Sequence, residues 1–431
     1  MERKVIQKLI AWKARARRKP LLVRGARQVG KTYTIMEFGQ IHFNGNIHVF
    51  NFEKNPEIHT IFEQHLESNR IISELELVVN TKIIPGKDLL FFDEIQECPK
   101  AIMSLRYLYE ENPELHVIAA GSLLEFALKD ISFPVGRLQM LYMYPMSFEE
   151  FLIANGKDLL AEKIMQAGKH LSVTLTQMVN TELHNYFIVG GMPECVSAFI
   201  STGSFLEAIN IQTDLIATYR QDFSKYAGHA DKRCLNSVLS AIAQRTGEQI
   251  KYSKLDDNYT NPTIKKAFDL LEKARLFSKV KATSPAGLPL GANASEKKFK
   301  TVFLDIGLLS NISGFYSNKT INKKNLTSAF NGKMAEQFVG QELRNANDRN
   351  LYYWSREARG SSAETDYLIE KEGGIIPIEV KSGKSGRLTS LHLLLESFPD
   401  IEMAYVFTED KYGELPEKGI KFLPLFKAGS I

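Results

Sequence analysis

Short apolar runs alternate with amphipathic helical stretches through the first third of the chain. Five runs are expected to form buried strands: Leu21–Val23, Ile47–Phe52, Leu89–Phe92, His116–Ala120 and Leu138–Tyr144. Strands that alternate with helices are typical of βαβ units, in which helices cover both faces of a parallel sheet. The pattern therefore predicts an α/β domain built on a parallel sheet over residues 1–147.

From Phe148 to about Tyr226 the pattern becomes mostly helical and is interrupted by one turn, Gly190-Gly191-Met192-Pro193. We assign residues 148–230 to a helical lid or connector.

Residues 231–310 have the order of a winged helix, with three helical stretches followed by a hairpin. The predicted elements are Asp231–Gly247, Tyr252–Leu255, Ile264–Arg275, Phe277–Thr283 and Lys297–Phe303. Asn261-Pro262-Thr263 is a good entry signal for the third helix. Lys265, Lys266 and Lys273 lie off its apolar stripe and would face either phosphates or solvent. The polar stretch 311–325 is predicted to be a linker.

The last segment, residues 326–431, predicts a second α/β domain. Its elements are a helix over about 327–346, strands Leu351–Ser355, Thr365–Glu370 and Ile375–Lys381, a helix Leu388–Ser397 and a strand Met403–Phe407.

Composition narrows the class of protein. The 431 residues are 44% hydrophobic and 24% charged, which is ordinary for a globular protein with cores. Three distant cysteines indicate neither a disulfide framework nor a zinc site. No apolar run approaches the length of a membrane span, and the first twenty residues lack a signal peptide's apolar centre, so a cytoplasmic protein is expected.

Positive charge is concentrated in two stretches, although the net charge is only +4. Residues 1–20 hold eight Lys/Arg and one Glu, and residues 251–281 hold eight Lys/Arg and four Asp/Glu. Both are candidate nucleic-acid surfaces, and solvated helix faces are the alternative. Residues 326–431 hold thirteen basic and sixteen acidic side chains, which gives little support for DNA binding there.

The stretch GARQVGKT follows the first apolar strand and precedes a helical stretch. This is the context of a phosphate-binding loop, in which backbone N–H groups and a helix N-terminus converge on phosphates. Lys31 is expected to reach the β/γ-phosphates of ATP, and the Thr32 hydroxyl to ligate Mg²⁺. The predicted loop contacts are Gly25, Gln28, Val29, Gly30, Lys31 and Thr32.

A second acidic motif, LLFFDEIQ, completes the predicted nucleotide site. Asp93 is expected to hold Mg²⁺, and Glu94 to orient and polarise the attacking water. Ser122 follows the next strand and would sense the γ-phosphate, with a plain turn as the alternative. Arg137 and Arg220 are two candidates for a guanidinium that contacts phosphate, in cis or from a neighbouring subunit, although an ordinary ion pair is the favoured interpretation of each.

The stretch ETDYLIEKEGGIIPIEVKSG carries the second candidate site. Alternation along the last strand places Glu379 and Lys381 on one face, and Gly373-Gly374 predicts the hairpin turn that brings Asp366 near them. Asp366 and Glu379 are the candidate ligands of one or two Mg²⁺ ions, with Glu336 on the preceding helix as a third carboxylate. Lys381 would orient or activate water. Solvent-facing charges on a hairpin remain the alternative.

The motifs GARQVGKT, LLFFDEIQ, AAGSLLE, GRLQMLYMYPMSFEEF and YFIVGGMPE resemble prokaryotic AAA-type ATPases that carry a C-terminal domain of unknown function. This resemblance covers essentially the whole chain. It implies a P-loop NTPase core, a helical lid with a winged helix, and a C-terminal restriction-endonuclease-like domain. The order helix with Glu, then Asp, then Glu-x-Lys is similar to the PD-(D/E)xK nuclease signature.

Two functions are consistent with these observations. The first is a Mg²⁺-dependent ATP hydrolase coupled to binding or cleavage of nucleic acid, with DNA expected ahead of RNA. The second is a regulatory switch that hydrolyses ATP and uses the nuclease-like fold for recognition only. The carboxylate–lysine set favours the first and the modest charge favours the second; association into a homo-oligomer is left open.

Overall fold

The computed structural model describes residues 1–122, 124–127, 136–166, 171–226, 231–314, 332–347, 350–358, 361–381, 388–409 and 412–431. The chain divides into two compact units, Met1–Tyr144 and Pro145–Ile431. Each unit is built around its own sheet.

The first unit contains a five-stranded parallel sheet. Its strands are β1 (Leu21–Arg24), β2 (Ile47–Asn51), β3 (Leu89–Asp93), β4 (His116–Gly121) and β5 (Gln139–Tyr142). The spatial order is β2-β3-β4-β1-β5, with all neighbouring strands parallel. The carboxyl ends of β1 and β3 therefore lie at the same edge of the sheet, where open α/β sheets bind ligands.

Helices pack around this sheet because the sequence supplies apolar positions on both sides. They are α1 (Val5–Lys13), α2 (Lys31–His42), α3 (His59–Glu63), α4 (Ser68–Val79), α5 (Pro99–Glu111) and α6 (Leu124–Ala127). Every residue of β3 is buried, as expected for a central strand covered on two faces. The prediction of an α/β unit with a parallel sheet is confirmed.

The second unit begins with five helices: α7 (Phe148–Ala154), α8 (Asp158–Gln166), α9 (Val173–Val189), α10 (Pro193–Thr202) and α11 (Phe205–Tyr226). The Gly190-Gly191 turn between α9 and α10 is fixed by the buried Asp305, whose Oδ2 accepts from the N–H of Gly191 at 2.6 Å. Asp305 Oδ1 accepts from the N–H of Leu308 at 3.0 Å and so caps the following helix. Gly190 has φ 73°, and a Cβ there would lie 2.2 Å from Asp305 Oδ1.

The elements expected of a winged helix follow in the predicted order. They are α12 (Lys232–Gln244), a 3₁₀ turn (Tyr252–Lys254), α13 (Asn261–Lys273), β6 (Phe277–Ala282), β7 (Phe299–Phe303) and α14 (Ile306–Ile312). Strands β6 and β7 form an antiparallel hairpin. The predicted short second helix is thus a single 3₁₀ turn, and the predicted linker over 311–325 lies outside the described residues from 315 onward.

The remaining elements are α15 (Gly332–Asn347), β8 (Tyr352–Tyr353), β9 (Ser355–Ala358), β10 (Ser361–Glu364), β11 (Tyr367–Lys371), β12 (Gly374–Val380), α16 (Thr389–Ser397), β13 (Ala404–Thr408), β14 (Gly413–Leu415) and β15 (Ile420–Pro424). Among the described residues they form a mixed sheet of eight strands in the order β14-β15-β13-β12-β11-β8-β6-β7. Strands β9 and β10 form a separate ribbon.

This eight-stranded sheet joins two segments for which the sequence predicts different domains. Strand β6 of the hairpin pairs in parallel with β8, through Lys281 with Tyr352 and Ala282 with Tyr353. The sheet therefore runs without a break from residues 277–303 into the C-terminal segment. The division into 231–310 and 326–431 stays a prediction.

Candidate functional site

The phosphate-binding loop lies between β1 and α2 and depends on two glycines. Gly30 has φ 90° and allows α2 to begin at Lys31. A Cβ on Gly25 would lie 2.2 Å from the carbonyl oxygen of Met143, so only glycine fits there. Gln28 also adopts a positive φ of 63°. The loop thus has the tight turn that brings backbone N–H groups together.

Arg3 stabilises the phosphate-binding loop through a contact with a loop carbonyl that was not predicted from the sequence. Its guanidinium donates from Nη1 to the carbonyl of Val29 at 3.0 Å and from Nη2 to the carbonyl of Tyr144 at 2.7 Å. Arg18 of the same basic segment donates to the carbonyl of Glu114 at 2.5 Å. These two cations of residues 1–20 are therefore engaged in internal contacts, which weakens the nucleic-acid interpretation of this segment.

Lys31 is almost fully buried, and its ammonium donates to the carbonyls of Gly25 at 3.2 Å and Ala26 at 2.8 Å. Burial lowers the pKa of Lys31 to about 8, although the nearby Glu94 and Asp93 carboxylates act in the opposite direction. A cation held at the loop, with carbonyls as its acceptors, is placed to receive phosphate oxygens instead.

Asp93 ends strand β3 and contacts the first turn of α2. Thr32 Oγ1 donates to Asp93 Oδ1 at 3.0 Å, and Asn51 Nδ2 at the end of β2 donates to Asp93 Oδ2 at 3.0 Å. Burial, and then Glu94, raise the pKa of Asp93. A threonine hydroxyl beside a carboxylate is the hard-oxygen set that Mg²⁺ prefers, so the residues present fit that ion.

Glu94 follows Asp93 in a left-handed conformation with φ 50°. Gln96 Nε2 donates to Glu94 Oε2 at 2.7 Å, so Gln96 orients this carboxylate. Gln96 in turn packs against the end of β4, since a Cβ on Gly121 would lie 2.5 Å from its Oε1. The predicted Ser122 is buried directly after Gly121. The loop, Asp93, Glu94 and Ser122 thus all lie at the carboxyl edge of the sheet.

The two candidate arginines belong to different units. Arg137 precedes β5, at the opposite edge of the sheet from the phosphate loop, and forms an ion pair with Glu110 at 2.6 Å. A contact with phosphate in cis is thereby excluded for Arg137 in this structure. Arg220 is exposed on α11 of the second unit.

In the second unit, the hairpin β11–β12 brings Asp366 and Glu379 together. Tyr367 pairs with Ile378, so Asp366 and Glu379 stand opposite each other and on the same face. The turn residues are Glu372 and Gly373, both with positive φ, one position earlier than the predicted Gly373-Gly374.

Lys381 also belongs to this cluster. Its Nζ donates to Glu379 Oε1 at 2.6 Å, while Asp366 Oδ2 accepts from the N–H of Val380 at 2.6 Å. Glu379 is buried, and its Oε2 has no hydrogen-bond partner among the described residues. Burial, and then Asp366, raise the pKa of Glu379 to about 7. The structure therefore brings together the three residues predicted from the Glu-x-Lys pattern.

A residue that sequence reasoning missed, Lys300 of β7, lies within the same cluster. Its Nζ is 3.1 Å from Glu336 Oε1 and 4.0 Å from Asp366 Oδ1, and it forms an ion pair with Glu364. The side chain is only 3% exposed and lies over the ring of Tyr353 at 5.2 Å. Lys300 therefore compensates three carboxylates that come from three different elements.

Three carboxylates of this cluster, those of Glu336, Asp366 and Glu379, have raised pKa values. Burial, and then Asp366, raise the pKa of Glu336 to about 8, while Lys300 acts in the opposite direction. Burial also raises the pKa of Asp366. Burial would lower the pKa of Lys300, but the surrounding carboxylates raise it well above its usual value. Four carboxylates thus share two ammonium groups, and a divalent cation would relieve the excess negative charge.

No group of three or more His, Cys, Asp or Glu in the described part of the chain is arranged to hold a metal ion. Glu336 is instead paired with Lys300. The metal role of Glu336 stays a prediction, and the orphaned Glu379 Oε2 beside Asp366 is the oxygen that fits a cation best.

The lysines of α13 and β6 differ in their surroundings. Lys265 and Lys266 on α13 are exposed, as predicted. Lys279 on β6 is paired with Asp269 at 3.3 Å and Glu272 at 2.8 Å. Lys265 and Lys266 thus remain available to a phosphate backbone, whereas Lys279 is already compensated by carboxylates.

The fold and the first site define a nucleotide-binding α/β unit of the phosphate-loop class. Three family models match parts of this chain. An AAA domain model matches residues 17–152, a domain of unknown function (DUF8612) matches 180–319, and a second one (DUF4143) matches 331–427. The chain therefore contains a region that matches an AAA domain, followed by two regions that match domains of unknown function, which confirms this part of the resemblance.

Curated relatives are distant. An uncharacterized protein of Haemophilus influenzae is 25% identical over 278 residues, which cover 60% of this chain and 62% of that protein, less than two thirds of its length. The uncharacterized protein MJ1544 of Methanocaldococcus jannaschii is 24% identical over 362 residues, covering 81% and 71%.

The Walker-type ATPase PABY2304 of Pyrococcus abyssi is similar at 14% identity and a TM-score of 0.44, covering 72% of this chain and 95% of that one. A likeness at this level carries no argument about function.

None of the helices that the structure describes is long and apolar enough to cross a membrane.

Proposed function

We propose that this chain is a Mg²⁺-dependent ATP hydrolase whose nucleotide site controls a carboxylate–lysine site that acts on nucleic acid. The observation that carries the proposal is the convergence of Asp366, Glu379 and Lys381 in one cluster of the second unit. DNA is the expected nucleic acid.

At the nucleotide site, each residue has a separate task. Lys31 would exchange its carbonyl acceptors for phosphate oxygens, and Thr32 with Asp93 would hold Mg²⁺, which neutralises charge on the phosphates. Glu94 would orient and polarise the attacking water, with its carboxylate positioned by Gln96.

At the carboxylate–lysine site, Asp366 and Glu379 fit a divalent cation, which would stabilise charge that develops on a phosphodiester. Lys381, held by Glu379, would orient or activate the attacking water. Lys265 and Lys266 would contribute nonspecific contacts to the phosphate backbone.

ATP hydrolysis is tested with Glu94→Gln and Lys31→Ala. Glu94→Gln should retain ATP binding and lose turnover by about 100-fold or more, because Mg²⁺ coordination survives while water activation does not. Lys31→Ala should weaken binding itself. Glu97→Gln, an exposed acid three positions on, is the matched control. Unchanged turnover in Glu94→Gln would end the role assigned to that residue.

Cleavage is tested by incubating the full chain with plasmid, linear and single-stranded DNA plus Mg²⁺ or Mn²⁺, with and without ATP. Asp366→Ala and Lys381→Ala should each abolish cutting and leave ATP hydrolysis intact, since the two sites lie in separate units. Lys371→Ala, on the adjoining strand, should cut normally. Cutting that persists in both site variants would refute the assignment.

The second candidate is a non-cleaving switch that hydrolyses ATP and uses the C-terminal unit for recognition only. One observation favours it: the ammonium of Lys300 already lies near Asp366, a proposed ligand of the catalytic cation, and is paired with Glu336 and Glu364. DNA that is bound but left intact with either metal ion, with and without ATP, would support this candidate.

A further inference from the structure

Lys300 is unusual because its buried ammonium lies among three carboxylates. Strand β7 reads FKTVF, and all five residues are buried. A lysine at the second position of such a strand must find several partners, because burying an uncompensated charge is very costly. Its partners are Glu336, Glu364 and Asp366, from α15, β10 and the residue before β11.

The three carboxylates are arranged around the Lys300 ammonium as ligands are arranged around a metal ion. A simple pair joins one ammonium to one carboxylate, whereas Lys300 Nζ is surrounded by three carboxylates at distances of up to 4.0 Å. The face of Tyr353 lies on another side of the side chain at 5.2 Å, so the ammonium also meets an aromatic face.

A second, independent observation indicates that another cation can still bind. Glu379 is only 5% exposed, and its Oε2 has no hydrogen-bond partner among the described residues. Its other oxygen is bonded to Lys381. Buried carboxylate oxygens without a partner are rare in folded proteins. This unmet acceptor lies opposite Asp366, which is the residue that Lys300 approaches least closely.

We propose that Lys300 is a resident cation of this cluster, placed among Glu336, Glu364 and Asp366 where a first divalent ion would otherwise lie, so that a single divalent-cation position remains at Asp366 and Glu379. The inference rests on the proposed function only in that it concerns the same site. The site would then bind one divalent ion, and Lys300 from the hairpin β6–β7 would occupy the other cation position.

The two possible roles of Lys300, a purely structural ion pair and an occupant of a cation position, predict different effects of removing its ammonium. If Lys300 only stabilises the fold, Lys300→Met should destabilise the protein regardless of metal. If Lys300 occupies a cation position, removing it should create a second site, since the same carboxylates then lack compensation. A divalent ion should then restore the lost stability by mass action.

The experiment measures Mn²⁺ binding to the full chain without nucleotide, by electron paramagnetic resonance and calorimetry. Wild-type protein is expected to bind an ion that Asp366→Asn loses. Lys300→Met should bind about one more ion per chain than wild type, and its unfolding temperature should rise more steeply with Mn²⁺. Lys300→Arg retains the cation and should bind the wild-type number.

A charge-balanced variant keeps the test decisive. Lys300→Met combined with Glu336→Gln removes one charge of each sign, so it should recover stability without metal and bind no additional ion. An unchanged number of ions in Lys300→Met, or a stability loss that Mn²⁺ does not recover, would overturn the proposal. A Lys300→Met protein that stays unfolded with saturating Mn²⁺ would also overturn it.

The outcome is separable from that of the proposed function. If wild-type protein leaves all DNA intact yet Lys300→Met gains an ion, nucleic-acid cleavage fails and the resident-cation inference stands. If wild-type protein cuts DNA but Lys300→Met gains no ion, the reverse holds.

Discussion

The low pKa of Lys31 predicts that ATP binding weakens as the pH rises above neutrality. Lys31 contacts phosphate only as an ammonium, and burial lowers its pKa to about 8 before nucleotide binds. About nine-tenths of the molecules would then carry the charge at pH 7 and about one-tenth at pH 9. Affinity for ATP should therefore fall about tenfold over this range, or about 1.4 kcal/mol.

Linkage between protonation and nucleotide binding determines whether a proton is taken up or released. Because phosphate oxygens favour the charged form, nucleotide binding should raise the pKa of Lys31, and a proton should be taken up on binding. The uptake should be about half a proton per nucleotide at pH 8. Calorimetry at about pH 7, 8 and 9, in buffers with different ionisation enthalpies and saturating Mg²⁺, measures both quantities.

Lys31→Arg is the control, since a guanidinium stays charged throughout this range. Its affinity should be independent of pH even if it is weaker. A wild-type affinity that stays constant between about pH 7 and 9, with no proton uptake, would refute the argument that burial controls this lysine.

Three further variants test other parts of the structure. Arg3→Met removes the hydrogen bonds to the carbonyls of Val29 and Tyr144, and ATP binding measured by calorimetry should weaken several-fold. An unchanged affinity would show that the phosphate-binding loop does not depend on Arg3. Reversing the charge of Lys265 and Lys266 should weaken DNA binding at low salt for all sequences alike, in fluorescence anisotropy, whereas Lys421→Glu should not. Asp305→Ala should lower the free energy of unfolding by about 2–4 kcal/mol in urea titrations, because two buried N–H groups lose their acceptor; a loss below 1 kcal/mol would contradict this.

The parts of the sites that could be predicted from sequence are those with short, local patterns. The phosphate loop is a run of consecutive residues, and Asp93 with Glu94 ends an apolar strand. Asp366 and Glu379 lie on one hairpin, where alternation along the strand fixes which side chains share a face. In each case the signal is a short run of residues or a single hairpin, although the contact between Thr32 and Asp93 joins residues 61 positions apart.

The parts that escaped prediction depend on contacts between distant segments. Lys300 meets Glu336 across 36 positions, and no local spacing connects them. The available signal was a lysine between apolar residues of the strand FKTVF, which indicates a buried charge that needs partners. Arg3 was interpreted as part of a basic surface, although its carbonyl acceptors lie 26 and 141 positions away.

Short strands were also missed because they carry no strong pattern. Strands β10 and β14 are four and three residues long and contain Ser, Gly and Glu, which have low strand propensity. Their pairing with neighbours, rather than their own sequence, makes them strands. The longer amphipathic helices and apolar strands were predicted more readily, and the division into domains stays a prediction.

The continuous sheet through β6 and β8 affects which segments of this chain could be exchanged between proteins. Family models divide the second unit into 180–319 and 331–427, as though each were an independent module. In the structure, the first segment supplies both the parallel neighbour of β8 and the lysine that compensates Glu336. A gene fusion that moved the second segment alone to another protein would carry an unpaired strand edge and a surplus of buried negative charge. We therefore expect the two segments to be exchanged together, because they share one sheet and one set of buried charges.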